Sequence, residues 1–199
     1  MSESLYQGAT VVGIKFQEGI VIAGERRMTY GSYIQSSNVK KVFLINERMG
    51  LGAAGMVGDL QNIIRLLKEQ IRYYEGETKN RMKVRSAAKL LSNILYSLKI
   101  FPVMAEFIIG GIEDGVPVLA VLDPVGSVLE DDFIAVGSGG SIAIGVIEEL
   151  YKTNMSETEA VELAVKAVRQ GIRRDALSGG DIDYIVVTKE KSYEGKSKL

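Results

Sequence analysis

The sequence predicts an α+β protein in which two antiparallel sheets pack face to face, each carrying a pair of helices on its outer side. Three observations lead there. The elements run strands, two helices, strands, two helices, strand, and so are grouped rather than alternating. Successive strands are joined by short turns, which close antiparallel hairpins. Several strands are apolar on both faces, as in Phe107-Ile108-Ile109 and Ile185-Val186-Val187, so their sheets need cover on both sides.

Each element has its own signal. Thr10 to Phe16 alternates, as does Gly19 to Ala23, and Gln17-Glu18-Gly19 supplies the turn between them. Lys41 to Asn46 and Gly50 to Gly55 make a second hairpin around Glu47-Arg48. Leu60, Ile63, Ile64, Leu67, Ile71 and Tyr74 form one stripe at helical spacing. A second helix places Val84, Ala87, Ala88, Leu91, Ile94, Leu95 and Leu98 on one face, and the charged stretch Gly76 to Lys83 between the two reads as a loop. Ala105 to Ile112 and Val116 to Leu122 flank Asp114-Gly115, a strong hairpin signal, and Asp123-Pro124-Val125-Gly126 is another turn. Phe133 to Val136 is a short strand, and Ala143, Val146, Ile147 and Leu150 mark a third helix. Ser156 and Glu159 form a capping box for a fourth, with Val161, Ala164, Val165, Val168 and Ile172 as its buried stripe. Ile182 to Thr188 is the last strand, and Lys189 to Leu199 reads as a frayed polar tail. No repeat, linker or second domain interrupts the pattern.

Composition bounds the function. The chain has 199 residues, 46% of them hydrophobic and 25% charged, which suits one soluble domain with a sizeable core. A net charge of -1 gives no reason to expect nucleic acid or an acidic membrane as partner. Met1 to Gln7 is too short and too polar for a secretory signal, and no apolar run approaches the roughly 20 residues of a membrane helix. The expected compartment is the cytoplasm. There is no cysteine and no histidine. That removes disulfides, thiol nucleophiles, the Ser-His-Asp triad and the common zinc sites. A hydrolase built on this chain must take its base from a lysine, a carboxylate or a terminal amine.

Taken singly, the motifs are bland. Gly137-Ser138-Gly139-Gly140-Ser141 opens a helix but lacks the Lys-Ser/Thr ending of a phosphate loop, and reads as a strand-to-helix turn. Ser178-Gly179-Gly180 is likewise a turn, Glu25-Arg26-Arg27 a solvated charge cluster, and Lys40-Lys41 a surface pair. Thr10 is a common kind of strand residue.

Together they are specific. The blocks "GATVVGIKFQEGIVIAGERR", "KKVFLI", "GLGAAGMVGDLQ", "AKLLSNILY", "GGIEDG", "AVGSGGSIAIGVIEE" and "RRDALSGGDID" run from Gly8 to Asp183. In them the chain resembles the β-type subunits of the archaeal 20S proteasome, threonine endopeptidases of the N-terminal-nucleophile class. The resemblance implies a four-layer α-β-β-α sandwich and a domain over 10–199 preceded by a leader over 1–9. It implies a reaction that needs no histidine. A terminal threonine attacks a peptide carbonyl through its hydroxyl, and its own α-amine, with a pKa of roughly 7.7–8.0, serves as base. That amine exists only after autocatalytic removal of the leader.

By the same resemblance, Thr10 is the candidate nucleophile, Lys41 the lysine beside it, and Glu25 the carboxylate paired with that lysine. Arg27 matches a nearby arginine. Asp175 and Ser178 match the pair that orients the terminal threonine, Ser138 the serine near the amine, and Gly55 the oxyanion-hole N–H. Met28, Val39, Phe43, Ala53 and Val57 match the substrate pocket, whose apolar lining implies cleavage after hydrophobic residues. No metal or organic cofactor is implied. The implied partners are proteasome α-type subunits and other β-type subunits in seven-membered rings, with unfolded polypeptides as substrates.

One departure matters. Aligned without a gap on Gly13, the nucleophile position holds Ala9, and Thr10 falls on the opposite strand face. For Thr10 to serve, a bulge or slip at the start of the strand must absorb one residue. The alternatives are a naturally inactive structural member of the β ring that retains its leader, and an engineered alanine that blocks processing. An α-type ring subunit would carry a further helix ahead of the first strand, and only seven residues precede Gly8. An unrelated N-terminal-nucleophile amidase would not share "RDALSGG" and "GSGG".

Overall fold

The computed structural model of the protein describes residues 8–199. Met1 to Gln7, most of the expected leader, lie outside the described residues. The first hairpin is β1 (Val11–Phe16) with β2 (Gly19–Glu25), followed by a short one of β3 (Met28–Tyr30) with β4 (Tyr33–Ser36). Then come β5 (Val42–Asn46), β6 (Met49–Gly55), α1 (Val57–Thr78) and α2 (Val84–Ser97). The chain returns as β7 (Ala105–Glu113), β8 (Val116–Leu122), β9 (Val128–Glu130) and β10 (Phe133–Val136). It ends with α3 (Gly140–Leu150), α4 (Glu157–Arg174), β11 (Ile182–Thr188) and β12 (Ser192–Ser197). This is a mixed α/β architecture with four helices among the described residues.

Two five-stranded sheets carry it, ordered β10-β1-β2-β11-β12 and β5-β6-β7-β8-β9, with β3-β4 as a separate ribbon. The pairings between neighbours are antiparallel. The period-2 alternation of side chains sorts the apolar residues into three cores. Phe107 and Ile109 face α1 and α2 with Leu60, Ile63, Leu67 and Leu91. Val12, Ile14 and Val186 face α3 and α4 with Ile147, Leu163 and Val168. Val11, Ile22, Ile108, Leu119 and Ile185 fill the space between the sheets. This is why the strands are apolar on both faces. The β7–β8 turn has both central residues at positive φ, Asp114 at 50° and Gly115 at 83°, the twist that a two-residue hairpin favours.

Several boundaries differ from the sequence reading. Helix α1 runs on through Gly76 to Thr78, residues assigned above to a loop, and stops only at Lys79, which turns left-handed at φ 55°. Tyr74 and Leu98, placed on apolar stripes, lie at helix ends and are exposed. The buried stripe of α4 is Ala160, Leu163, Ala164, Ala167, Val168 and Gly171, with Val161, Val165 and Ile172 packed at its flanks. The tail is not frayed: β12 pairs with β11 from Ile182↔Ser197 to Val187↔Ser192. Alternation there is polar on both faces, because β12 is an edge strand, and so it leaves no periodic signal.

The capping box on α4 forms as expected. Ser156 Oγ accepts from Glu159 N–H at 3.3 Å while Glu159 Oε2 accepts from Ser156 N–H at 2.8 Å. Ser156→Ala should cost about 1 kcal/mol of stability, read from urea melts.

Candidate functional site

Four pieces of chain meet at the start of β1: the end of β2, the residue before β5, the turn into α3 and the loop after α4. Lys41 and Glu25 are fully buried side by side, although residue type alone placed both on the surface. Lys41 Nζ has three donors and meets three acceptors: Glu25 Oε1, the Arg27 carbonyl at 2.6 Å and the Gly8 carbonyl at 3.4 Å. Glu25 Oε2 accepts from the N–H groups of Arg27 at 2.6 Å and Gly179 at 2.9 Å. Burial pulls the Lys41 ammonium below its ordinary value and pushes the Glu25 carboxyl above its own, and in each case the partner's charge works against the shift. Arg27 lies across Gly179, where a β-carbon would overlap the guanidinium, and donates to the Ala176 carbonyl at 3.3 Å.

On the other side, Asp175 closes α4 and its Oδ2 accepts from two hydroxyls, Ser138 at 2.5 Å and Ser178 at 2.6 Å. Each serine has one proton, and both protons go to the carboxylate. Ser138 Oγ is therefore left as acceptor for the Ala9 N–H at 3.1 Å, and Ser178 Oγ as acceptor for the Thr10 hydroxyl at 2.8 Å. The two ends of this network reach opposite faces of the same strand.

That parity decides what stands where. β1 pairs without a shift from Val11↔Gly24 to Phe16↔Gly19, and the Glu25 N–H carries the ladder on to the Thr10 carbonyl. No bulge absorbs a residue between Thr10 and Gly13. Ala9 consequently packs between the sheets with Val11, Ala54 and Val136. Thr10 points the other way, into a slot where a β-carbon added to Gly139 or Gly171 would overlap its Oγ1. Ala9 and Thr10 are both fully buried. Lys41 and Ser138 thus bracket the Gly8–Ala9 peptide, whereas the Thr10 hydroxyl is held on the helix side by Ser178.

The remaining residues border this centre. Gly55 adopts φ 136°, and a β-carbon there would strike the Met104 carbonyl, so only glycine fits. Ala53 and Val57 are buried, while Met28, Val39 and Phe43 are half-buried, Phe43 against the α1–α2 core. Sequence reasoning missed Glu106, whose Oε2 accepts from the Gly137 N–H at 3.0 Å beside the turn into α3. It stands opposite Ala54 in the β6–β7 register, a position visible only once the strands are paired. Nor does the sequence mark Gly139 and Gly171 as the walls of the Thr10 slot.

Comparison with known proteins gives a consistent picture. A family model described as proteasome subunit matches residues 5–187. The chain is 49% identical over 180 residues to proteasome subunit beta 1 of Ignicoccus hospitalis, which covers 90% of each chain. It is 48% identical over 181 residues to proteasome subunit beta 1 of Staphylothermus marinus, covering 91% of this chain and 85% of that one. It is 43% identical over 199 residues to proteasome subunit beta 2 of Pyrobaculum calidifontis, covering 100% and 98%.

Proposed function

This chain belongs to the proteasome subunit family, among its β-type members, and from that premise we propose that it builds the β ring without cutting peptide bonds itself. One observation carries this reading. Lys41 and Ser138 converge on the Gly8–Ala9 peptide, whose Ala9 has no hydroxyl, and the neighbouring hydroxyl of Thr10 lies on the opposite face of the strand, bonded to Ser178. An alanine cannot form an acyl-enzyme, and without that attack the leader is not released. The subunit then keeps residues 1–9, and cleavage of unfolded polypeptides falls to sister β-type subunits. On this reading it works in the cytoplasm, in seven-membered rings stacked against rings of α-type subunits. No helix among the described residues is long and apolar enough to cross a membrane. The three separate cores support a four-layer α-β-β-α sandwich of the N-terminal-nucleophile type.

The kept machinery has a place in this reading. Glu25, Lys41, Ser138, Asp175 and Ser178 tie the end of β2, the start of β5 and the last loop to the first strand, so they serve structure where catalysis is lost.

The test is the intact mass of the chain after co-assembly with α-type and sister β-type subunits. Retention of residues 1–9 is the expected result, with no labelling of this subunit by a peptide electrophile that acylates terminal threonines. A chain that begins at Thr10 and takes the label would overturn the proposal and make Thr10 the nucleophile.

A further inference from the structure

A groove of about 650 Å³ lies between α4 and the edge strand β12, and none of the residues that surround Ala9 lines it. Three cations of α4 do: Lys166, Arg169 and Arg173. Residues three and four apart share one helix face, so these three repel one another. Elsewhere on the surface, Lys15, Lys83, Arg85 and Lys191 each face a carboxylate. Here none of the three is ion-paired among the described residues. Glu162, one turn ahead of Lys166, is the single carboxylate on the groove among the described residues, so the lining keeps an excess of positive charge. Arg173 lies in the last turn of the helix, where the backbone dipole favours a cation. Lys166 and Arg169 lie before that turn and have no such support.

Arg169 is the fixed point. Its Nη2 donates to the Ser197 hydroxyl at 3.2 Å and to the Lys198 carbonyl at 3.3 Å, which ties the guanidinium to β12 and the residue after it. Its Nε is buried and has no hydrogen-bond partner. An unmade bond at a buried, charged donor is costly. A guanidinium also presents its donors as a planar fork that matches the oxygens of a phosphate. A water satisfies one such donor but leaves the charge of three cations uncompensated.

We propose that this groove is a binding site for a polyphosphate anion. Seven residues at a rise of roughly 1.5 Å set Lys166 and Arg173 about 10 Å apart along the helix, with Arg169 between them. A chain of phosphoryl groups spans that length and meets each cation in turn, whereas a single phosphate or carboxylate meets fewer of them. Inorganic polyphosphate and the phosphate tail of a nucleotide share this chemistry. Val165 and Tyr184, which also line the groove, offer an aliphatic and an aromatic surface to the nucleoside of the second. Occupancy of this site does not depend on whether the chain is a peptidase.

Isothermal titration calorimetry of the full chain with tripolyphosphate tests the site, in magnesium-free buffer and with sodium chloride of equal ionic strength as the blank. Saturable one-to-one binding is expected. Lys166→Gln combined with Arg169→Gln should weaken it by about tenfold or more, the loss expected when hydrogen bonds to charged groups are removed. Lys89→Gln, on α2, should leave it unchanged. Thermal melts report whether the double variant is folded. Arg173→Gln, at an exposed position, covers the case in which it is not, and should weaken binding about threefold. ATP and AMP separate the two sources. Equal affinity for tripolyphosphate and ATP, with AMP far weaker, identifies the bare phosphate chain as what is held, and tighter binding of ATP identifies a nucleotide. Heat no larger than that of the salt blank would overturn the proposal. So would affinity that survives in the folded double variant, or in Arg173→Gln if the double variant does not fold. A glutamate-rich peptide that binds as tightly as tripolyphosphate would replace the polyphosphate with an acidic protein segment.

Discussion

Ala9→Thr should turn this subunit into a peptidase. In a particle whose other β-type subunits have been inactivated, the variant chain should lose residues 1–8, and peptide hydrolysis should rise by about 100-fold or more, the smallest gain that one positioned acid–base group provides. The reason is parity. Residue 9 lies between the sheets, where Lys41 reaches the Gly8 carbonyl and Ser138 the residue 9 nitrogen. A hydroxyl placed there attacks the Gly8 carbonyl. The Gly8–residue 9 amide is exchanged for an ester on the side chain, and water then releases residues 1–8. What remains is a free α-amine on the nucleophile, beside an ammonium that favours its neutral form. Ala9 is fully buried in the cluster with Val11, Ala54 and Val136, so the added atoms press on these neighbours. Ala9→Ser, one methyl smaller, covers the case in which threonine overpacks. Mass spectrometry reads the processing and a fluorogenic peptide the activity, and adding Lys41→Ala should abolish both. A folded Ala9→Ser chain that keeps its leader would show that the surrounding groups no longer support attack.

Lys41→Met should be the most destabilising exchange near the site, at about 3–5 kcal/mol in chemical denaturation. It leaves Glu25 charged, unexposed and without its cation, although two backbone N–H groups still donate to it. The variant also acquires a pH signature. Burial already holds the Glu25 carboxyl above its ordinary value, and Lys41 is the main force restraining that rise. Without the lysine the folded state keeps its proton to higher pH than the unfolded chain does. Stability of the variant is then fully present below about 4.5 and falls as pH climbs through the raised folded value. Urea midpoints from pH 4 to 8 should therefore drop more steeply for Lys41→Met than for the parent. Parallel curves would mean that Glu25 stays ionised without its partner.

The fold was legible in the sequence where a local rule had one outcome. Asp114-Gly115, Ser156 with Glu159, and the apolar periods of α1 and α4 gave their elements because turn chemistry, capping and helical spacing act over a few residues. The β3–β4 ribbon and β12 were not, since their polar, solvent-facing residues are strands only by virtue of what they pair with. The site was legible in its membership and not in its aim. Family resemblance gathered Glu25, Lys41, Ser138, Asp175 and Ser178, and the structure brings these side chains to the first strand. Whether residue 9 or residue 10 faces Lys41 depends on register, which a pattern as regular as "ATVVGIKF" leaves to the pairing with β2 and β10. Glu106 was silent for the same reason.

The sheet orders also bear on biosynthesis. The sheet β5-β6-β7-β8-β9 and the helices α1 and α2 that cover it come from one unbroken stretch, 42–130. The other sheet gathers β1 and β2 from the beginning of the chain and β11 and β12 from its end. A nascent chain leaving the ribosome can close the first half early, through contacts near in sequence, while the first hairpin waits for strands separated from it by more than 150 residues. The Ser178 and Asp175 clasp on the first strand belongs to this late half. The residues around Ala9 are thus drawn together only when translation is nearly finished, so a truncated product has no assembled site.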